Sequence, residues 1–255
     1  MATFFSWFRQ LLQYLRTWVA IGILCLLIAW SLPAQAATRI DAKLEQQVLQ
    51  IIRENPEVII ESVQAYQQQQ QQKLNQVRQG FLQDLKTNPQ TIIGESPTTG
   101  STNSKIVLVE FSDFECPYCA EAHKTLKQLL AKYPDKIKLV YKNLPLTSIH
   151  PQALPAATAA WAAHQQSKFW EYHDALFADQ KQLSERLYLD IAKNLNLDLV
   201  KFKRDRTIAT PAIQKDIQLA EKLAVAGTPF FVISSPTISG VVQLPDIENI
   251  LANTK

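Results

Sequence analysis

Residues 106–119 read IVLVEFSDFECPYC, an apolar run that leads directly into two cysteines. Residues 106–111 are rich in β-branched residues and include one acidic residue, Glu110. This is the pattern of a central strand buried on both faces. From Cys116 to Tyr133 the pattern becomes helical, and residues 137–141 predict a second strand. A strand–helix–strand unit this short favours a parallel pair with a right-handed crossover. The sequence therefore predicts an α/β domain with both cysteines where a strand gives way to a helix.

The second half of the chain completes this domain. Residues 151–226 carry helical patterns throughout, and Gly227-Thr228-Pro229 breaks the last helix. After this break we expect two strands and a final helix, at residues 230–233, 238–242 and 245–252. A βαβ half, then helices, then a ββα half is the element order of the thioredoxin fold with a helical insertion. We therefore predict an α/β thioredoxin fold over residues 94–255, with the insertion at about residues 151–226.

The N-terminal segment, residues 1–36, has the composition of an export signal. Arg9 and Arg16 precede an apolar run at residues 18–32, and the small-x-small sequence Ala34-Gln35-Ala36 follows it. The run is roughly 15 residues long, against the ~20 that a spanning helix needs. Two interpretations stay open, a cleaved signal peptide and a retained membrane anchor. Both predict that the rest of the chain is exported to the periplasm or an equivalent lumen, because the positive residues come first.

Residues 37–93 predict a helical extension ahead of the domain. Asn55-Pro56-Glu57 is typical of a helix start, with Asn as the N-cap and Pro in the first turn. A 3-4 alternation typical of a coiled-coil seam follows, formed by Ile60, Val63, Gln67, Gln70, Leu74, Val77 and Phe81. The extension is either a spacer or docked helix, or a stalk for homo-oligomerisation through residues 38–91. The polar cluster at residues 94–104 predicts the boundary with the next domain.

The cysteine content points to redox chemistry. Beyond residues 1–36 the chain holds only Cys116 and Cys119. A disulfide between them closes a very short loop, which constrains the unfolded chain little, so a stabilising role explains the pair poorly. At a helix N-terminus the thiol pKa of Cys116 is expected to fall from its usual value of about 8.5. Pro117 suits the first helical turn, and Cys119 is placed to resolve a mixed disulfide.

Charge and histidine spacing argue against two other classes of function. The formal net charge is +3, and no run of Lys and Arg is interleaved with aromatic residues, so no nucleic-acid partner is predicted. A structural zinc site needs four ligands, whereas the chain has one C-x-x-C pair and histidines without paired spacing at positions 123, 150, 164 and 173. His123 follows Cys119 by four residues and is compatible with a shared soft-metal site. We nevertheless predict no metal and no other cofactor, and interpret His123, His164 and His173 as capping, surface or core residues.

Two further residues are candidates for the site. Glu110 sits in an apolar strand, where burial raises a carboxyl pKa and allows proton exchange near neutral pH. The alternative is a strand-end carboxylate that faces solvent. Pro229, after Gly-Thr and before an apolar strand, suits a cis peptide bond at the entry to the sheet. Such a bond leaves the backbone of Thr228 free to pair with an extended substrate segment.

Taken in order, the motifs resemble those of DsbA-like thioredoxin-fold proteins over about residues 95–254. The matching segments are FSDFECPYC at 111–119, KNLPL at 142–146, HP at 150–151, KFW at 168–170 and GTPFF at 227–231. The resemblance implies that Cys116 is the nucleophile, Cys119 the resolving thiol, Pro229 the cis-proline and Glu110 the buried acid. The sequence NPEVI at residues 55–59 is also similar to the helical extension of suppressor-of-copper-sensitivity proteins. Some of those proteins oligomerise through the extension and isomerise disulfides.

The direction of electron flow stays open at this point. The best-known DsbA enzymes carry histidine where this chain has Tyr118, so we expect a less oxidising disulfide. Thr228 before the cis-proline is frequent in isomerase-type members. We therefore predict an exported thiol–disulfide oxidoreductase, with an oxidase favoured over an oligomeric isomerase. The alternative from another class is a thiol metal carrier or a membrane-tethered chaperone.

The resemblance also predicts the partners. We expect cysteine-containing substrate proteins and a membrane redox partner that recycles the enzyme. Within the site, Pro117, Tyr118 and Thr228 are expected to contact substrate.

Overall fold

The computed structural model describes residues 18, 19, 23, 41–235 and 239–253. The chain divides into two compact units, residues 1–66 and residues 67–255. The predicted signal or anchor lies almost wholly outside the described residues. Among the helices that the structure does describe, none is both long enough and apolar enough to cross a membrane.

The described residues 42–54 and 56–66 of the first unit are helical. Helix α1 (Ala42–Glu54) begins after Asp41, whose side chain accepts a hydrogen bond from the backbone N–H of Lys43. Helix α2 (Pro56–Thr87) begins at the predicted Asn-Pro start and continues into the second unit. No residue of α1 is buried. Large apolar side chains are therefore exposed along this unit, at Leu44, Val48, Leu49, Ile51, Ile52, Val58, Ile59, Ile60, Val63 and Tyr66.

The second unit is built on a five-stranded sheet of order β1-β3-β2-β4-β5. Its strands are β1 (Thr98–Gly100), β2 (Val107–Ser112), β3 (Lys138–Asn143), β4 (Phe230–Ser234) and β5 (Ser239–Val242). The predicted pair β2 and β3 is parallel, and the other neighbours are antiparallel. All six residues of β2 are buried, as its apolar sequence predicted. The sheet thus places the cysteines at the carboxyl end of its central strand.

Helices cover both faces of this sheet and form the insertion. Helices α3 (Pro89–Ile93), α4 (Pro117–Lys132) and α10 (Leu244–Asn253) flank the strands. The insertion comprises α5 (Ala153–His164), α6 (Phe169–Ala178), α7 (Glu185–Asn194), α8 (Leu199–Thr207) and α9 (Thr210–Lys222). Seven alanines of α5 are buried, and their small side chains let neighbouring helices approach closely. The predicted thioredoxin fold with a helical insertion and an N-terminal helical region is confirmed.

The end of α2 belongs to the second unit. Phe81, Leu85 and Ile93 are buried in one apolar cluster with β2 residues such as Val109. Arg78 donates two hydrogen bonds, of 3.0 and 2.8 Å, to the backbone carbonyl of Leu223. The sequence predicts a domain boundary between residues 93 and 94, and this stays a prediction; the compact unit that contains these side chains begins at residue 67, because they bury their apolar surface against the sheet.

Strand β1 was not predicted. The polar sequence of residues 94–104 predicts a domain boundary, yet Thr98 to Gly100 pair with β3 at the edge of the sheet. Gly100 has φ +83°, and a Cβ there would lie 2.2 Å from the carbonyl oxygen of Ile137. Glycine is therefore required for this close approach of the edge to its neighbour.

Candidate active site

Cys116 and Cys119 lie at the N-terminus of α4. Cys116 is the N-cap residue, in extended conformation with φ −72° and ψ 121°, and Pro117 follows in the first turn. The backbone N–H groups of Cys119 and Ala120 donate to the carbonyl of Cys116 at 3.1 and 3.2 Å. Both cysteines are reduced and buried. A strand end and a helix start thus hold the two thiols on one side of the helix, as the C-x-x-C spacing predicted.

The two thiols have opposite pKa shifts. A hydrogen bond from Cys119 lowers the pKa of Cys116 to about 5, against the opposing effect of burial, and the backbone N–H groups of Cys119 and Tyr118 add to the lowering. Burial, followed by the hydrogen bond to Cys116, raises the pKa of Cys119 well above its usual range. The pair therefore consists of a thiolate at Cys116 and a protonated thiol at Cys119 at neutral pH.

Thr228 and Pro229 face the nucleophile across the site. The Thr228–Pro229 peptide bond is cis, as the sequence predicted. The Sγ atom of Cys116 lies 3.3 Å from the carbonyl oxygen of Thr228, in hydrogen-bond geometry. Both Thr228 and Pro229 are half-buried. The structure thus brings together residues 112 positions apart in the chain.

A groove runs beside the cysteine motif and the Thr228–Pro229 segment. Its volume is about 410 Å³, and its lining includes Tyr118, Glu121, Thr228, Pro229, Phe231 and Leu244. Tyr118 is 74% exposed, and Pro117 is also exposed. Of the three predicted substrate-contacting residues, Pro117 and Tyr118 are exposed, and Tyr118 and the half-buried Thr228 line the groove. An apolar groove beside a reactive thiol suits an extended peptide segment.

Glu110 lies beneath the cysteines on β2. In the sheet register it is opposite Tyr141 of β3 and Phe231 of β4. Glu110 is 2% exposed, and this burial raises its carboxyl pKa to about 7, with a smaller opposing effect from Ser112. The charge of Glu110 in turn raises the pKa of Cys119. The structure has the acid buried below the motif, and the alternative of a solvent-facing carboxylate is not observed.

A buried Asp–His pair supports the loop before the cysteines. Asp113 accepts hydrogen bonds from the backbone N–H groups of Glu115 and Leu146, at 2.8 and 2.9 Å. Its Oδ2 atom also lies 2.8 Å from Nδ1 of His150. Partial burial lowers the pKa of His150, but Asp113 and the charge of Cys116 outweigh this effect and raise it. The neighbours of His150 thus favour its protonated form.

Sequence reasoning missed the role of His150, and that of Gln180. The Nε2 atom of Gln180 donates to the carbonyls of Phe114 and Cys116, both at 2.9 Å, and so fixes the backbone on either side of Glu115. His150 is 37 residues from Asp113, and Gln180 is 64 residues from Cys116. No local spacing joins such residues, and the HP pair at 150–151 was the one signal that marked His150.

Comparison with known proteins agrees with this geometry. A family model described as thioredoxin (Thioredoxin_4) matches residues 93–253. The chain belongs to the thioredoxin family. Known structures of DsbA-type and ScsC proteins share its fold, so the predicted resemblance to DsbA-like thioredoxin-fold proteins is confirmed.

Two solved structures illustrate the likeness. A thioredoxin-like oxidoreductase from Silicibacter pomeroyi DSS-3 is 30% identical with a TM-score of 0.56, over 65% of this chain and 96% of that one. ScsC from Proteus mirabilis, in a transitional conformation, is 25% identical with a TM-score of 0.55, over 85% of this chain and 97% of that one. The match to ScsC covers more of this chain than the family match does, so it extends beyond the domain that carries the cysteines.

Curated relatives are much longer proteins. The Na(+)/H(+) antiporter NhaA 3 of Salinispora tropica is 39% identical over 137 residues, which is 53% of this chain and 21% of that protein. The match thus spans about a fifth of the length of this relative.

Proposed function

We propose that this chain is an exported thiol–disulfide oxidoreductase that oxidises cysteine pairs in substrate proteins. The observation that carries the proposal is the asymmetry of the cysteine pair. Cys116 has a pKa of about 5 and lies beside an open groove, while Cys119 is buried with a raised pKa. Cys116 is thus the better leaving group and contacts Thr228, which lines the groove, whereas Cys119 is wholly buried.

The reaction starts from the Cys116–Cys119 disulfide. A substrate thiolate attacks Sγ of Cys116, a mixed disulfide forms, and the bond to Cys119 breaks, so that Cys119 leaves as a thiolate. Because Cys119 has a raised pKa, this thiolate takes a proton, and the neutral carboxyl of Glu110 is the nearby group able to supply it. A second substrate thiolate then attacks the substrate sulfur of the mixed disulfide and releases Cys116 as a thiolate. The substrate loses two electrons, and the enzyme gains them.

The low pKa of Cys116 supports the oxidising direction. A stabilised Cys116 thiolate stabilises the reduced form of the enzyme, which makes the disulfide a stronger oxidant. Tyr118 supplies no positive charge, and for that reason the sequence suggested a weaker oxidant. The hydrogen bond from Cys119 and the backbone N–H groups of Cys119 and Tyr118 favour the thiolate instead.

Export and recycling form part of the same proposal. The order of basic, apolar and small residues in residues 1–36 supports export, and the reduced enzyme requires a redox partner at the membrane for another cycle. Edman sequencing of the protein purified from the producing cell would show whether it begins near residue 37, as a cleaved signal predicts. A start at Met1 would support the anchor instead.

The activity is tested with cysteine variants and a redox titration. Cys116→Ser is expected to abolish disulfide transfer to a reduced peptide, and Cys119→Ser to accumulate mixed disulfides through Cys116. Titration against glutathione is expected to give a potential nearer to about −120 mV than to about −270 mV. Full activity of Cys116→Ser would refute the proposed chemistry, and a potential near the lower value would show a reductant.

An oligomeric isomerase is the second candidate function. The observation that favours it is the row of exposed apolar side chains on residues 42–66, which no other described residue of that unit covers. Association of copies through residues 38–91 would cover this surface and place several redox sites in one particle.

A further inference from the structure

A cluster of two histidines and an aspartate lies behind the cysteine pair, between helices α4 and α6. His123 is one turn beyond Cys119 on α4, and His173 and Asp174 are neighbours on α6. Nε2 of His123 lies 3.6 Å and Nδ1 of His173 lies 3.2 Å from the same Oδ1 atom of Asp174. One ligating atom from each of the three residues lies within 4.8 Å of the others.

These distances suit a shared metal ion. An ion bound tetrahedrally, with Zn–N and Zn–O bonds of about 2.1 Å, holds its ligand atoms ~3.4 Å apart. The two measured separations, 3.6 and 3.2 Å, bracket that value. Because one ligating atom of each residue lies within 4.8 Å of the others, the side chains can close on an ion by a shift of at most about 1.4 Å in any one separation.

Aromatic rings hold both imidazoles in position. The ring of His123 stacks on Phe177, with centroids 5.1 Å apart and planes 18° apart. His173 is buried, with edge contacts to Phe177 and Phe114 at 4.9 and 5.6 Å. A site with ligands fixed in this way loses little entropy when it binds an ion.

Asp174 gives the cluster access to solvent, and a hydrogen bond from outside the cluster orients its carboxylate. Its side chain is 37% exposed, so an ion can enter from solvent on this side. Its second oxygen, Oδ2, accepts a hydrogen bond of 2.6 Å from Nζ of Lys127. Metal-ligating carboxylates are commonly hydrogen-bonded in this manner through the remaining oxygen. The ion pair with Lys127 therefore orients the carboxylate and leaves Oδ1 facing the histidines.

We propose that His123, His173 and Asp174 form a binding site for a divalent late first-row metal ion, with Zn²⁺ as the reference ion. Two imidazole nitrogens and one carboxylate oxygen are a donor set that suits Zn²⁺, and they leave a fourth position for water or another ligand. The site uses neither cysteine sulfur, so it is separate from the redox chemistry and does not depend on the proposed function.

The test is Zn²⁺ binding to the full chain in its oxidised form. The Cys116–Cys119 disulfide removes thiolate ligands from competition, so calorimetric titration then reports on other sites. We expect one Zn²⁺ per chain, with the affinity reduced at least tenfold in His123→Phe and in Asp174→Asn. The same substitution at another histidine, His164→Phe, is the matched control and is expected to leave the affinity unchanged.

A second measurement identifies the ligands without any substitution in the core. Co²⁺ bound to the oxidised chain is expected to show d–d absorption without a sulfur-to-cobalt charge-transfer band, as nitrogen and oxygen ligands require. Asp174→Asn changes a half-exposed side chain and is expected to fold, which its thermal unfolding checks. Absence of stoichiometric Zn²⁺ binding by the oxidised chain would overturn the proposal. Binding that is unchanged in both His123→Phe and Asp174→Asn would overturn it as well.

Discussion

Cys116 and Cys119 are chemically identical residues three positions apart, yet their surroundings move their pKa values in opposite directions. Cys116 is the N-cap residue of α4, where the neighbouring Cys119 thiol lowers its pKa. Cys119 lies inside that turn, fully buried above Glu110. A negative charge on either sulfur disfavours ionisation of the other thiol. At neutral pH the pair therefore carries one negative charge, which lies mainly on Cys116. The position of a residue relative to the helix start thus decides which cysteine is the nucleophile.

Titration of Cys116 tests this asymmetry. In the reduced protein the ultraviolet absorbance of the thiolate is expected to rise with a midpoint near pH 5. Cys119→Ser keeps a hydrogen-bond donor and is expected to retain a low midpoint, whereas Cys119→Ala removes the donor and is expected to raise it. A midpoint between about 8 and 9 in the reduced wild-type protein would contradict the asymmetry.

Glu110 predicts a pH dependence of stability. Its pKa is about 7 in the folded chain, against the ordinary glutamate value of 4.5. Between these values the folded state keeps a proton that the unfolded state has lost, so stability is highest below pH 4.5 and falls as the pH rises to 7. The difference amounts to about 3 kcal/mol. Denaturant unfolding of the oxidised protein at pH 4.5 and pH 8 measures it, with Glu110→Gln as the non-titrating control. An equal pH response of the two proteins would contradict a buried acid.

The residues of the site differ in how far sequence could predict them. Cys116, Cys119, Glu110 and Pro229 were predicted because each has a local signal: a spacing, an acid in an apolar strand, or a proline at a strand entry. His150 and Gln180 lack such a signal, since their contacts join loops that only the folded chain brings together. The same applies to His123 and Asp174, which lie 51 positions apart in the sequence and meet because α4 packs beside α6.

Among the elements, helix α2 shows most clearly where pattern and packing differ. Its 3-4 alternation was interpreted as a single seam that ends at Phe81. In the structure the apolar positions of this alternation are exposed in the first half of the helix and buried near its end. The side chain of Val63 is 49% exposed, and that of Phe81 is 6% exposed. Helical periodicity locates an apolar face, but it does not show what covers that face. The sheet covers the last turns of α2. The compact unit that carries the redox site therefore begins within the predicted extension, at residue 67.

Truncation of Leu85 tests the packing of α2 on the second unit. Leu85 is 1% exposed, so Leu85→Ala is expected to lower the free energy of unfolding by about 2–5 kcal/mol, because it removes buried methyl groups and leaves a cavity. Val77→Ala, on the same helix at a side chain that is 44% exposed, is the control and is expected to change it by about 0.5 kcal/mol or less. Denaturant unfolding measures both. Equal small effects would show that the end of α2 is not part of the folded unit.

Strand β1 illustrates a limit of composition as a guide to elements. Polar, turn-forming residues at 94–104 are typical of a linker, and a strand of three residues is too short to show an alternating pattern. What determines this strand is its partner, because β3 offers an unpaired edge and Gly100 permits the close approach. Such an element depends on tertiary context, and no reading of residues 94–104 in isolation predicts it.

At the scale of the whole molecule, the two units have different surfaces. The second unit, residues 67–255, buries its apolar residues in clusters around the sheet and contains every residue of the redox site. The first unit exposes large apolar side chains along two helices. Contiguous exposed apolar surface is uncommon on soluble proteins unless a partner covers it. The 3-4 spacing of that surface matches the seam by which identical helices associate, so we take a second copy of this chain as the partner.

Association of copies is testable by light scattering on the chain that begins at residue 38. The wild-type protein is expected to be oligomeric, and Ile60→Glu with Val63→Glu is expected to give monomers, because charge on the seam opposes its burial. Ile60 and Val63 are 58% and 49% exposed in the single chain. Val200→Glu, at an apolar side chain that is 81% exposed on the second unit, is the control and is expected to stay oligomeric. A monomeric wild-type protein would remove the case for the oligomeric isomerase. It would leave the oxidase intact, since every residue of the redox site lies within a single chain.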